Sequence, residues 1–235
     1  MIAIFKRELR AYFTGVVGYV FLASFLAVSA AVFSYTTLFS MSADVTAYFT
    51  FMLLFSAIIL PILTMKSFSE ERKMRTEQLL MTSPVSITGV VFGKFLASYV
   101  MFAGALLFSS LYFLLLTPYA EVKLAVLIGN VLAMLLVGLV FISIGLFVSS
   151  LTENQLTAAV GTMAIILAFL AVGLISSLLP TEYWLRFVLD SLSIFTRFQS
   201  FTNGYFDIAS LIYYLSAAGV FIFLTIRVYD RRRYN

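Results

Sequence analysis

The sequence predicts an all-α polytopic membrane protein with six spanning helices, and three observations carry that prediction. The 235-residue chain is 62% hydrophobic and 11% charged, where soluble domains run at about 45–50% apolar and about 25% charged. Six stretches hold no charged residue: Val16–Phe39, Ala47–Met65, Phe95–Leu116, Leu124–Ser150, Leu156–Leu179 and Ile208–Ile226. Each is close to or above the length of about twenty residues that crosses the hydrocarbon core as a helix. The runs are continuous rather than alternating, which excludes a β-barrel. In lipid every backbone polar group needs a partner within the chain, so helix is the default. The expected organisation is one transmembrane domain over residues 1–235.

The elements follow in order. Residues 1–14 form a predicted amphipathic interfacial helix, with Ile2, Phe5, Leu9, Tyr12 and Phe13 on one face and Lys6, Arg7 and Arg10 beside it. Such a helix either anchors the first span or forms a collar that touches a partner. A basic start and the small residues Ala27-Val28-Ser29 resemble a cleaved signal, but the apolar run continues to Phe39, longer than a signal core. It is read as a span. The second span contains Pro61, a candidate kink.

Residues 66–88 form the most informative segment, an elbow between spans two and three. Lys66 to Glu77 holds seven of the 26 charged side chains. Ser67 and Glu70 have the spacing of a capping box, and Glu71 with Arg75 is a favourable i,i+4 pair. Charge on every side of this short helix suits one that stands in water or against another protein. Leu79, Leu80 and Met81 make an apolar knob, Pro84 ends the helix, and Ser86 or Thr88 caps the third span. Gly89-x-x-x-Gly93, Gly138, Gly145, Gly161 and Gly173 allow close helix approach. Asn130, a lone strongly polar residue inside a span, reads as an interhelical hydrogen bond. Residues 180–207 carry Trp184, Phe187, Leu192, Phe195 and Phe198 at helical spacing, interleaved with Arg186, Asp190, Ser193 and Arg197. They predict short interfacial or re-entrant helices that could double as an outer gate.

Charge sets the orientation. Six spans leave both termini on one side, which holds twelve of the fifteen basic residues; Lys123, Arg186 and Arg197 lie on the other. The bias places both termini and the elbow in the cytoplasm. The net charge of +4 then reports topology and contact with anionic membrane lipids, and no nucleic-acid partner is expected.

Catalytic constellations are missing. Glu70-Glu71-x-x-x-Arg75 resembles the first motif of membrane CAAX-type proteases, but those enzymes and rhomboid-type serine proteases need histidine, and the chain has none. Cysteine is absent too, which removes thiol chemistry. No acid lies inside a span, so neither aspartyl proteolysis nor ion-driven transport has its usual midplane groups. Gly89 and Gly93-Lys94-Phe95 miss the phosphate-loop spacing and its Ser/Thr. The chain is not expected to be an enzyme or to bind a cofactor.

The elbow from Ser69-Glu70-Glu71-Arg72 to Leu79-Leu80-Met81-Thr82-Ser83-Pro84-Val85-Ser86 resembles the cytoplasmic coupling segment of type-2 ABC exporter permeases. Gly93-Lys94-Phe95-Leu96-Ala97, the stretch from Gly145 to Gln155, and the closing Arg231-Arg232-Arg233 are similar as well. The likeness is greatest to permeases related to gliding-motility transporters. Many members carry Gly-Thr with an acid two residues on, whereas here Arg75-Thr76 precedes Glu77 and Gln78. The resemblance implies the membrane subunit of an ATP-driven exporter in the bacterial cytoplasmic membrane. Its partners would be a separate ABC-type ATPase subunit, which holds the ATP and Mg, and a second permease copy or homologous permease. By the same likeness Glu70, Glu71, Arg72, Thr76 and Glu77 would make the ATPase-coupling contact, with Leu79 and Leu80 as an apolar plug. The competing reading is a non-transporting membrane scaffold that recruits a cytoplasmic ATPase or other partner through the same elbow.

Overall fold

A computed structural model of the chain describes residues 1–41, 45–76, 86–116, 123–178, 184–202 and 207–234, and every regular element among them is a helix. In order these are α1 (Ile2–Thr14), α2 (Val16–Phe33, prolonged by a π-helical turn Ser34–Phe39), α3 (Val45–Thr64), α4 (Lys66–Lys73) and α5 (Ile87–Leu116). There follow α6 (Leu124–Leu151), α7 (Gln155–Leu178), α8 (Trp184–Leu192), α9 (Ile194–Thr202) and α10 (Ile208–Tyr234). Six of these, α2 with its π turn, α3, α5, α6, α7 and α10, are long and apolar enough to cross a membrane.

The fourth span, α6, is the axis of the bundle. It packs against α3, α5, α7 and α10. Its window has the highest mean hydropathy, 2.9, and 72% of it is buried, against 22% for the first span. A helix apolar all round can be enclosed by protein or by lipid; here protein encloses most of it. Two glycines permit the contact. A Cβ on Gly138 would overlap the Phe102 ring, and one on Gly145 would overlap the Thr64 hydroxyl.

Where the helices differ from expectation, the causes are local. The third span begins at Ile87 rather than Phe95, because Lys94 is paired inside the protein and so does not mark the edge of the membrane segment. Ser86 supplies its cap, the Oγ accepting from the Gly89 N–H at 3.2 Å. Asn130 makes no interhelical bond among the described residues: Nδ2 donates to its own helix, to the Val126 carbonyl at 2.8 Å. Residues 184–202 form two helices divided at Ser193, whose Oγ accepts from the Thr196 N–H at 3.0 Å. That break resets the helical register, so the buried stripe is Ile194, Phe198 and Phe201, while Trp184 and Leu192 are exposed. The last helix continues past the apolar run, with Arg227 over Phe223 and Arg232 over Tyr229. These cations keep their stems on apolar rings.

The N-terminal helix is docked on protein rather than merely laid on a surface. Its packed face runs through Ile4, Glu8 and Tyr12, one helical turn apart, and Ile2 and Phe13 point outward. It rests on the Gly89-x-x-x-Gly93 ridge of α5. A Cβ at Gly93 would stand 2.9 Å from Ile4 Cγ2 and 3.3 Å from the Phe5 backbone nitrogen.

Candidate functional site

The elbow helix α4 follows α3 across the single residue Met65. Its first-turn amides, which have no partner within the helix, are not capped by Ser67. Ser149 of α6 does it from outside: one Oγ accepts from Phe68 N–H and Ser69 N–H, each at 3.1 Å, and donates to the Met65 carbonyl at 3.1 Å. Further along, Arg72 donates to the Leu151 carbonyl at 2.7 Å and pairs with Glu153 at 3.0 Å. A cation at the carbonyl end of α6 also meets the negative end of that helix. The elbow is therefore not charged on every side. Ser67, Phe68 and Ser69 are buried, and the Phe68 ring lies 4.8 Å from that of Tyr229.

On the opposite side of α4 sits an ion cluster centred on Lys94 of α5, which is 2% exposed. Its ammonium donates to Glu71 Oε1 at 2.9 Å, Glu8 Oε1 at 3.3 Å and the Ser67 carbonyl at 2.6 Å, and stands 5.1 Å from the Phe68 ring centre. Arg7 closes the set, with one nitrogen 2.6 Å from Glu8 and 3.1 Å from Glu71. Two bases and two acids balance. Taking an ammonium out of water costs several kcal/mol, which close carboxylates and hydrogen bonds must offset; Lys94 has both. Burial acts to lower the pKa of Arg7, but its two carboxylate partners outweigh that and raise it overall.

Tyr12 completes the attachment of α1. Its hydroxyl lies 2.9 Å from Ser98 Oγ and donates to the Leu63 carbonyl at 3.4 Å. Burial pushes this phenol up from 10.0 to about 12, with the Ser98 hydrogen bond pulling the other way. A folded-state pKa raised above the unfolded one contributes stability that is present below pH 10.0 and is lost as pH climbs to about 12. Wild-type protein is expected to lose stability across that window relative to Tyr12→Phe, which cannot ionise. Parallel slopes in alkaline unfolding would show that the phenol is not buried in the docked helix.

Between α1 and α4 lies a cavity of about 440 Å³, lined by Glu8, Tyr12, Val16, Lys66, Glu70 and Glu71 among others. Glu71 Oε2 is buried and takes no partner among the described residues.

The predicted coupling residues thus divide. Glu71 and Arg72 face their own chain, Glu71 towards α5 and α1 and Arg72 towards α6. Glu70 is half-buried at the cavity wall, and Thr76 is exposed, its hydroxyl on the Glu71 carbonyl at 3.2 Å. No Glu71–Arg75 ion pair forms among the described residues; the helix ends at Lys73 and Arg75 takes a positive φ of 56°. Glu77, Leu79 and Leu80 lie outside the described residues. Sequence reasoning did not single out Lys94, Glu8 or Ser149 as members of this junction. Two of them left a trace: Glu8 is a lone acid among cations, spaced four residues from both Ile4 and Tyr12, and Lys94 is isolated in an apolar run.

No individually curated protein matches the chain. A family model described as ABC-2 family transporter protein matches residues 4–232, a range that takes in all six spans, the elbow and nearly all of α1. With six helices long and apolar enough to cross a membrane, α6 the axis among them, the chain belongs to the ABC-2 transporter family and is a multi-pass membrane permease subunit of an ABC transporter.

Proposed function

We propose that this permease works in an ATP-driven exporter and is moved by a separate ABC-type ATPase that grips the elbow, residues 66–88, from the cytoplasm. The observation that supports it is the fastening of α4. Ser149 and Arg72 tie it to α6, Lys94 ties it to α5, and Arg7 ties it to α1. A push on so short a helix reaches three neighbours. The exposed residues Lys73, Arg75 and Thr76, with Glu77, Leu79 and Leu80, would meet the ATPase, while Glu71 and Arg72 would pass the movement inward. ATP and Mg belong to the partner. Both termini and the elbow face the cytoplasm, following the twelve-to-three basic bias. The apolar outer faces of the less buried spans fit membrane lipids and a second permease copy or homologous permease.

The test is to reconstitute the permease with its ABC ATPase in vesicles and to compare wild type with Leu80→Asp. Withdrawing an apolar plug worth about 1.5–3 kcal/mol should weaken assembly and permease-dependent ATP turnover by about tenfold or more. Unchanged assembly and turnover would show that the elbow is not the docking element. Labelling of residues 66–84 from outside the cell would reject the orientation.

A further inference from the structure

We propose that Lys94 is a positioning residue that makes α1 and α4 a single mechanical unit, its buried ammonium holding Glu8 of one and Glu71 of the other against α5. This rests on the coupling role proposed for the elbow, and it assigns the N-terminal helix a part in the same movement. The two acids come from elements 63 positions apart in sequence, yet both place an Oε1 within 3.3 Å of one nitrogen. The direct tie between α1 and α4, Arg7 to Glu71, involves a side chain 52% exposed, and exposed pairs contribute little. Lys94 is 2% exposed, so its pairs are screened far less by water and salt.

The corner between α1 and α2 is tight, since a Cβ on Gly18 would overlap the Tyr12 carbonyl, but Gly15 between them has extended backbone (φ −95°, ψ 162°), which interrupts the helix. Beyond that corner α1 is held by its contacts with other helices, and the ion cluster is the part that answers to α4. When the elbow moves, Glu71 carries Lys94 and Glu8 with it, and α1 follows. Because α1 leads directly into α2 and lies on the start of α5, spans one and three then respond together with span four, which Ser149 and Arg72 already tie to the elbow.

The chain has no cysteine, so a single introduced pair reports on the geometry. Arg10→Cys and Lys73→Cys, both at exposed positions, would carry spin labels on the permease in lipid nanodiscs. The otherwise wild-type protein is expected to give one narrow distance distribution, and Lys94→Met a broadened or displaced one. Lys94→Arg, which keeps the charge, is expected to restore the narrow one. Should Lys94→Met fail to fold, Lys94→Met with Glu8→Gln leaves Arg7 and Glu71 as a balanced pair, removes the clamp all the same, and is expected to broaden equally. A distribution as narrow as wild type in either clamp-free variant overturns the proposal, and so does broadening that Lys94→Arg does not repair. Assembled with the ATPase, Lys94→Met should bind it normally but lose about tenfold in permease-dependent turnover. Failure of the wild-type permease to bind an ABC ATPase would reject the coupling reading while leaving the distance result intact.

Discussion

Replacing Ser149 by alanine is expected to loosen the first turn of the elbow and to destabilise the protein by about 2–4 kcal/mol, since each buried group left unpaired costs about 1–3 kcal/mol. The Ser149 hydroxyl accepts from two amides, those of Phe68 and Ser69, and donates to the Met65 carbonyl. All of this happens where Phe68, Ser69 and Ser149 are buried, so water cannot replace the lost oxygen without opening the α4–α6 contact. Amide exchange at Phe68 and Ser69 of α4 should accelerate well ahead of exchange in α3 and α6. Unaltered protection of those two amides in Ser149→Ala would mean that the cap is made by another group. In the coupling reading the same variant should separate elbow motion from span four, and permease-dependent ATP turnover should fall with it.

The second large effect is expected at Gly145. A Cβ there would overlap the hydroxyl of Thr64, a fully buried residue on α3. Thr64 cannot easily turn away, because its Oγ1 donates to the Leu60 and Pro61 carbonyls at 3.0 and 3.3 Å and β-branched side chains in helices are stiff at χ1. Overpacking of this kind costs about 1–3 kcal/mol, and Gly145→Leu should exceed Gly145→Ala. Thr64→Ala removes the obstacle. The double variant Gly145→Ala with Thr64→Ala is therefore expected to be more stable than the sum of its parts by about 1–2 kcal/mol, a coupling energy of the size seen between residues in contact. Strict additivity in a chemical-unfolding cycle would show that the two helices do not meet there.

Much of the site's surroundings was legible because charge in a membrane protein is scarce. Seven charged side chains within twelve residues marked the elbow, and Ser86 was one of two capping candidates. The glycines at 89 and 93 were legible as a close-approach surface, though not that α1 is what rests there. The polar partnerships were not legible. A capping box within α4 looked sufficient, and a hydroxyl 82 positions beyond Ser67 in the sequence supplied the cap instead. Glu71 and Arg72 read as outward-facing because they are charged, yet each found an opposite charge in the protein: Lys94 and Glu153. Lys94 read as the edge of a span for the same reason. A charge forecasts water only while no counter-charge is near, and nearness in space is what a linear pattern omits.

By itself the amino-acid order determined that this chain crosses a membrane six times as helices, because runs of apolar residues of that length leave the backbone no other way to satisfy its polar groups in lipid. It also determined where the charged elbow falls between spans. The tertiary structure alone decided which helix became the axis, which side of α1 met the protein, and that Lys94, Glu8, Glu71, Arg7 and Ser149 converge on the elbow. Those outcomes rest on contacts between segments far apart in sequence, whose free energy depends on distance and burial rather than on order along the chain.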